Sequence, residues 1–360
     1  MASILQGAGS WLLVAGVTVL GFALLIVIHE LGHFAVARLC GMRVERFSVG
    51  YGPVLFSRRR GDTEWCLSAV PFGGYVKIAG MALGEDVDPK DATAYANQPA
   101  GRRFLVILAG PAMNYVAAVA LALGMALSFG VPRADPSPTL GGVLAGGAAE
   151  RAGLREGDRI LSVDGRSVET WDALVAEIRS HPGQDIDLAV RRAGPEEGAP
   201  PRSVRARPDD AGGIGKLGVA QNTLADQVGA GGAFSAAVRI TNAKAGEVLS
   251  GLAQVLTRKQ KGELMGPLGI AQEMARSARA GPARFFTMVW VISILLALFN
   301  LLPIPALDGG RLVFLAYEIA TRRRVNQKVE SYVHLAGFLA LAGLLLAVTL
   351  FGDLARIFRR

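Results

Sequence analysis

The chain has 360 residues, of which 51% are hydrophobic and only 19% charged, and its mean hydropathy is +0.36. This balance argues against an ordinary soluble globular protein, which carries more charge and fewer long apolar runs. The net charge of +8 does not indicate a nucleic-acid partner, because the basic residues lie beside apolar segments rather than in an aromatic-laced patch.

Four apolar segments are long enough to cross a membrane, since a hydrocarbon core about 30 Å thick requires about 20 helical residues. The first segment is uncharged over residues 11–28, and its apolar pattern continues to residue 39. The other three segments cover residues 104–129, 285–307 and 332–351. The sequence therefore predicts a polytopic α-helical membrane protein with four transmembrane helices.

The distribution of Lys and Arg predicts how these spans are oriented, because cytoplasmic loops carry an excess of both. Basic residues follow the first span, precede the second and follow the third, at Arg38, Arg43, Arg46, Arg58, Arg59, Arg60, Arg102, Arg103, Arg311, Arg322, Arg323, Arg324 and Lys328. We expect both of these loops in the cytoplasm, and the N-terminus and the long 130–284 segment outside. Three arginines near the C-terminus argue weakly for the opposite orientation.

The outer segment has the pattern of a small compact domain followed by amphipathic helix. Residues 159–163 and 186–190 are expected strands, and the first is followed by an Asp164-Gly165 turn. Residues 171–178 place their apolar side chains on one helical face, and residues 233–260 are helical and amphipathic. Residues 153–160, with the sequence GLREGDRI, closely resemble the central signature of PDZ domains. We expect one such domain over about residues 139–208.

The first span carries the motif His29-Glu30-Leu31-Gly32-His33. Two histidines four residues apart share one helical face, and their neutral imidazoles can bind one Zn²⁺ ion. In such motifs the glutamate, here Glu30, takes a proton from a zinc-activated water and later gives it to the leaving amine. Ionisable groups inside an apolar helix are costly and point to function. The motif therefore predicts a zinc-dependent protease site within the membrane.

Zinc requires a third protein ligand. Glu45 is too close to the motif, and Glu64 lies in a strand-like loop. The intramembrane candidate is Asp308, which follows a stretch broken by Pro303 and Pro305 and precedes two glycines. The alternative for Asp308 is a residue that merely ends a helix at the membrane interface, and a His₂-carboxylate set also suits other divalent ions.

Taken together, these features resemble the site-2 protease family, and within it the bacterial RseP/RasP-type intramembrane proteases, with a single PDZ domain. The resemblance rests on HELGH in the first span, the PDZ pattern and the stretch NLLPIPALDGG at residues 300–310. It implies His29, His33 and Asp308 as zinc ligands and Glu30 as the catalytic base. The implied substrates are transmembrane segments of single-span proteins, such as anti-sigma factors or signal-peptide remnants, pre-cut by another protease.

Further stretches resemble family elements and supply candidate substrate-binding residues. Residues 47–53 and 71–76 resemble the membrane-associated β-sheet that follows the first span, and Gly73, Gly74 and Tyr75 are its candidate substrate-binding residues. A free strand edge can hold an unwound substrate by β-augmentation, whereas the alternative is a small cytoplasmic β-domain without substrate contact. Asn114, in the family's GPxxN pattern, and Asn300 are candidate substrate contacts or, alternatively, interhelical hydrogen-bonding groups.

The expected organisation is a multi-pass protein of the bacterial cytoplasmic (inner) membrane, with its active site in the bilayer near the cytoplasmic side and its PDZ domain extracytoplasmic. The predicted segments are 1–39, the first transmembrane helix with HELGH; 40–103, the cytoplasmic-side β-hairpins; 104–130, the second helix; 131–215, the linker and PDZ domain; 216–284, an amphipathic helical segment; 285–310, the third helix with LDGG; 311–330, a cytoplasmic loop; and 331–360, the fourth helix and tail.

Two other functions are weighed against this one. A non-enzymatic scaffold that presents a PDZ domain to peptide C-termini does not require an intact HExxH and LDGG. A membrane-anchored zinc protease of the soluble type would have its site outside the bilayer, but its usual nearby third ligand is missing and the motif lies within an apolar helix.

Overall fold

The computed structural model of the protein describes residues 2–82, 85–192, 200–257 and 266–354. Five segments of the expected organisation therefore fall partly outside the described residues, at 1, 83–84, 193–199, 258–265 and 355–360. The chain divides into two compact units. The first comprises Met1–Met125 and Phe234–Arg360, and the second comprises Ala126–Ala233.

The first half of the first unit contains two long helices separated by a β-sheet. Helix α1 covers Ala2–Leu39, strands β1 and β2 cover Val44–Arg60 and Thr63–Ile78, and helix α2 covers Ala100–Phe129. Helix α2 continues through Pro111. An apolar helix between neighbours tolerates an internal proline because nearby groups satisfy the freed carbonyl.

The long strands β1 and β2 each contribute two segments to one sheet. Residues 44–49 pair on one side with residues 64–67 and on the other with residues 74–78. Residues 54–60 pair with residues 63–68, so the order across the sheet is 54–60, 63–68, 44–49, 74–78. Among the described residues, no strand pairs with the outer side of 74–78. This segment is therefore an edge of the sheet.

The second unit is a small α/β arrangement of short strands. Its elements are β3 (Val131–Ala134), β4 (Leu140–Val143), α3 (Ala148–Arg151), β5 (Arg159–Val163), β6 (Arg166–Ser167), α4 (Trp171–Arg179), β7 (Ile186–Arg191), β8 (Arg202–Ala206), β9 (Asp209–Asp210), β10 (Gly215–Lys216), β11 (Val219–Gln221) and β12 (Thr223–Asp226). A four-stranded sheet has the order β6-β5-β7-β8, and three strand pairs, β9 with β10, β4 with β11 and β3 with β12, complete the unit.

Local sequence explains why this unit folds as it does. The hydroxyl of Thr170 accepts a hydrogen bond from the Ala173 N–H and caps α4. Helix α4 buries Leu174 and Ile178 on one face, and β7 buries alternate side chains. These side chains join Leu140 and Ile160 in one apolar core.

The second half of the first unit is helical. It contains α5 (Ala230–Leu256), α6 (Pro267–Arg279), α7 (Pro282–Leu301), α8 (Asp308–Thr321) and α9 (Gln327–Ala347), the last continuing as a π-helical turn at Val348–Leu354. Apolar side chains of α1, α6 and α7 meet at Leu25, Met274, Val289 and Ile292, and this packing holds α1 against its neighbours.

Four helices among the described residues are long and apolar enough to cross a membrane, so the four predicted apolar segments are helical. They are Gly16–Leu39, Ala100–Phe129, Pro282–Leu301 and Lys328–Asp353.

The third span and the loop after it differ from the sequence prediction. Helix α7 ends at Leu301 rather than near residue 310, because the closely spaced Pro303 and Pro305 cannot continue it. Helix α8 then begins at Asp308 and occupies residues expected to form a loop. Asp308 is thus the first residue of a new helix and not the end of the third span.

Candidate active site

Helix α1 presents His29 and His33 on one face. Their Nε2 atoms lie 3.2 Å apart, and the two rings meet edge to face with centroids 4.8 Å apart. This follows from the spacing of four residues, which is close to one helical turn. His33 is only 5% exposed, so the pair lies in the interior of the first unit.

Asp308 reaches this pair from α8, 275 positions after His33 in the sequence. Its Oδ2 atom lies 3.1 Å from His29 Nε2 and 3.5 Å from His33 Nε2. The break after α7 makes this approach possible, because it reverses the chain and places Asp308 in the first turn of the next helix. Within the part of the chain that the structure describes, these residues form the one group of three His, Cys, Asp or Glu side chains close enough to share a metal ion.

The geometry of this group fits a zinc ion. Three atoms bound to a tetrahedral zinc at about 2.0–2.1 Å lie about 3.3 Å from one another. The three separations here are 3.1, 3.2 and 3.5 Å. Asp308 Oδ2 is also buried without a hydrogen-bond donor among the described residues. A buried carboxylate oxygen facing two imidazole nitrogens is unfavourable unless a proton or a cation lies between them.

The outer nitrogens of both rings are held in the way that metal-binding histidines require. His33 Nδ1 lies 2.7 Å from the Val106 carbonyl oxygen, so it donates its proton there and leaves the Nε2 lone pair free. His29 Nδ1 lies 3.2 Å from the side-chain Nδ2 of the fully buried Asn114, whose Oδ1 has no hydrogen-bond partner among the described residues. With the amide oxygen turned towards the ring, His29 Nδ1–H donates to it and Nε2 is again free.

Helix α2 passes close to the Nε2 atoms of both histidines at Gly110. A Cβ atom at this position would overlap the His33 ring and would lie 2.7 Å from His29 Nε2. Only glycine therefore lets α2 approach this closely, and the same approach brings Val106 and Asn114 to the two rings.

Glu30 contacts the edge of the sheet. Its Oε2 atom accepts a hydrogen bond of 3.1 Å from the Val76 N–H, and a Cβ on Gly74 would lie 3.8 Å from the Glu30 Cγ. Since residues 74–78 form an edge of the sheet, the general-base candidate lies beside an edge strand.

The predicted substrate residues Gly73 and Tyr75 lie on this same strand. The ring of Tyr75 stacks on Tyr51 with centroids 6.0 Å apart, and its hydroxyl accepts from Arg46. Gly73 has φ +113, and a Cβ there would overlap the Tyr51 ring. Burial raises the pKa of the Tyr51 phenol, which therefore stays neutral at ordinary pH.

Sequence reasoning missed three groups at the site: Tyr51, the Val76 N–H and the Val106 carbonyl. Tyr51 lies within residues 47–53, which resemble the family's β-sheet, but no spacing rule singles it out. The other two groups belong to the backbone, which carries no residue-specific signal. Asn300 behaves differently from Asn114. It is half-buried on α7 and forms no side-chain hydrogen bond with any described residue.

Comparison with known proteins agrees with this geometry. The model of peptidase family M50 matches residues 17–344. A candidate zinc metalloprotease of Clostridium acetobutylicum is 31% identical over 337 residues, covering 93% of this chain and 95% of the relative. The zinc metalloprotease RasP of Geobacillus kaustophilus is 29% identical over 419 residues, covering 94% of this chain and 96% of the relative.

A candidate zinc metalloprotease of Agrobacterium fabrum is 31% identical over 361 residues, covering 92% of this chain and 93% of that protein. The family match covers HELGH and LDGG, since it extends over residues 17–344, and each of these relatives covers at least 92% of the chain. The chain therefore belongs to peptidase family M50, the site-2 protease family, and is a zinc metalloprotease of that type.

Proposed function

We propose that His29, His33 and Asp308 hold the zinc ion and that the protein cleaves peptide bonds within membrane-spanning segments. The observation that carries this proposal is the convergence of the three ligand atoms at separations of 3.1–3.5 Å, beside Glu30. When bound there, zinc supplies Lewis acidity to the water and to the carbonyl group of the scissile bond.

Glu30 is the general base of this mechanism. Its carboxylate removes a proton from the attacking water and returns that proton to the amine that leaves, so the side chain ends the cycle unprotonated. The hydrogen bond from the Val76 N–H to Oε2 fixes the carboxylate orientation and leaves Oε1 to face the water. His33 and His29, held through Val106 and Asn114, keep their Nε2 lone pairs on the metal.

We assign substrate binding to the edge strand at residues 74–78. A helical segment hides its peptide groups in internal hydrogen bonds, so cleavage requires that it unwind locally. An unwound segment can pair with the free edge as an added strand, which brings its backbone next to Glu30. Gly73, Gly74 and Tyr75 then contact substrate. The proposed substrates are single-span membrane proteins, such as anti-sigma factors or signal-peptide remnants, that another protease has already shortened.

We further propose that the second unit contains a PDZ domain over about residues 139–208 and that it lies on the outer face of the cytoplasmic membrane. The four-stranded sheet with α4 and the GLREGDRI turn support the PDZ assignment. The concentration of Arg and Lys in residues 38–60, 102–103 and 311–328 supports this orientation.

The Glu30→Gln variant tests the catalytic proposal. Glutamine keeps an oxygen for the Val76 N–H but cannot accept a proton, so cleavage should fall at least roughly 100-fold while zinc remains bound. Bound zinc and cleavage of a single-span helical peptide are measured on the purified, detergent-solubilised full chain.

Glu45→Gln is the matched control, since Glu45 lies on the sheet surface in an ion pair with Lys77 and should be dispensable. Equal cleavage by wild type and Glu30→Gln, or a wild-type protein that binds no zinc, would overturn the proposal. A role as a PDZ scaffold would then account better for the chain.

A further inference from the structure

His334 lies on α9, and the proposed mechanism does not use it. The residue is only 8% exposed, and its Nδ1 atom accepts a hydrogen bond of 3.0 Å from the Ala306 N–H. Its Nε2 atom is buried and has no partner among the described residues. Because Nδ1 accepts a hydrogen bond, the proton of the neutral ring lies on Nε2. A buried polar group with one unmade hydrogen bond is costly, and loss of the bond from Ala306 would add to that cost.

The partner of His334 lies in the turn that delivers Asp308. Ala306 has φ +78, a left-handed conformation that a side chain with a Cβ atom adopts only with strain. Such a conformation persists only where surrounding contacts impose it. Ala306 lies two residues before Asp308, between the end of α7 and the start of α8. The direction in which the Asp308 carboxylate points therefore depends on this turn.

Helix α9 packs closely against this turn. One helical turn beyond His334, Gly337 lies so close that a Cβ atom there would overlap Pro305 and would lie 2.7 Å from the Pro305 carbonyl oxygen. The ring of Phe314, on α8, packs against the His334 ring, with the two ring centroids 5.7 Å apart. The fourth apolar helix thus contacts both the turn and the helix that Asp308 begins.

We propose that His334 is a positioning residue for the metal site, which holds the Ala306 turn and thereby aims the Asp308 carboxylate at His29 and His33. This inference rests on the proposed role of Asp308 as a zinc ligand. A variant that loses the acceptor leaves the Ala306 N–H unpaired, so the turn relaxes from its strained conformation. The carboxylate then moves away from the 3.1 and 3.5 Å separations seen here.

The test compares zinc affinity in two His334 variants of the full chain in detergent, by competition with a chromogenic chelator. His334→Phe keeps the ring against Phe314 but removes the acceptor, and it should weaken zinc binding by roughly 10-fold, as expected for loss of an outer-shell partner. His334→Asn places an amide oxygen near the position of Nδ1 and should restore most of the affinity. Thermal melting of the metal-free proteins shows whether each variant is folded.

A second pair of variants tests the neighbouring contact of α9 with the same turn, between Gly337 and Pro305. Gly337→Ala places a methyl group against Pro305 and should weaken zinc binding, whereas Gly343→Ala, on the same helix with nothing within 4 Å, should not. If His334→Phe does not fold, this pair still shows whether the contact of α9 with the turn controls zinc affinity.

The outcomes separate this inference from the proposed function. If Asp308→Asn binds zinc as tightly as wild type, the ligand assignment fails and the inference fails with it. If zinc binding depends on Asp308 but His334→Phe and Gly337→Ala retain wild-type affinity, only the positioning role is lost. Equal weakening in His334→Phe and His334→Asn would mean that ring shape, and not the hydrogen-bond acceptor, is what matters, and would also overturn the proposal.

Discussion

At the scale of single residues, each zinc-ligand candidate is held by a group that belongs to another part of the chain. Val106 fixes His33, Asn114 faces His29, and His334 accepts a hydrogen bond from the strained Ala306 turn that precedes Asp308. The sequence points to His29, Glu30 and His33 because their spacing has a physical reason. It does not reveal Val106 or Val76, because backbone carbonyl and N–H groups are present at nearly every position.

Asn114 illustrates how geometry changes the interpretation of a residue. From sequence it is equally a substrate contact or an interhelical hydrogen-bonding group, but its side-chain amide lies against His29 Nδ1. We therefore expect Asn114→Leu to weaken zinc binding by roughly 10-fold or more, because the His29 ring loses the group that sets its tautomer.

The measurement for this variant is zinc affinity together with kcat and KM for a helical peptide. A variant with unchanged zinc affinity and a raised KM would instead assign Asn114 to substrate binding. Asn242→Leu, on α5, provides an amide control away from the histidines, since Asn242 accepts from the hydroxyl of Tyr115.

At the scale of secondary-structure elements, apolar length alone predicts the four long helices, because few other structures keep 20 apolar residues together. Helix α8 was not predicted, because residues 308–321 lie beyond two prolines and include several polar residues. The order of the four sheet segments was not predictable either. Residues 44–49 pair with a segment on each side. The alternation of apolar and polar side chains along them does not indicate which segment lies on which side.

The crossing of α1 and α2 depends on glycines on both helices, Gly32 on α1 and Gly110 on α2, and Gly110 is the one that meets the histidines. We expect Gly110→Ala to abolish tight zinc binding, because the added methyl group overlaps the His33 ring and pushes the histidine face away from α2. Gly124→Ala lies on the same helix with nothing within 4 Å of the new methyl group and should bind zinc normally.

Zinc affinity and thermal melting of both glycine variants check this expectation. If Gly110→Ala binds zinc like wild type, the close approach of α2 has no bearing on the metal site.

At the scale of the whole molecule, the proposed orientation puts residues 40–103 in the cytoplasm and residues 130–284 outside. This orientation is predicted from the positions of Lys and Arg, which cluster at one end of each of the first three spans, as they do in cytoplasmic loops. The two compact units are connected through α2 and α5, but their composition alone does not say which of them faces which compartment.

Labelling with a membrane-impermeant maleimide tests this orientation. In a background with Cys40 and Cys66 replaced by serine, Ser203→Cys lies at an exposed position of the second unit and should react in intact spheroplasts. Asp62→Cys, at the exposed hairpin of the sheet, should react only after lysis. The reverse pattern would invert the orientation.

The central claim is that two histidines and one aspartate, distant in sequence, bind one zinc ion. X-ray absorption spectroscopy of the zinc-loaded Glu30→Gln protein tests it most directly, since this variant is expected to keep the metal without turnover. We predict one zinc per chain with two imidazole ligands and oxygen neighbours at about 2.0–2.1 Å, and loss of that spectrum in Asp308→Ala. Sulfur neighbours at about 2.3 Å, or a spectrum that Asp308→Ala leaves unchanged, would contradict the account.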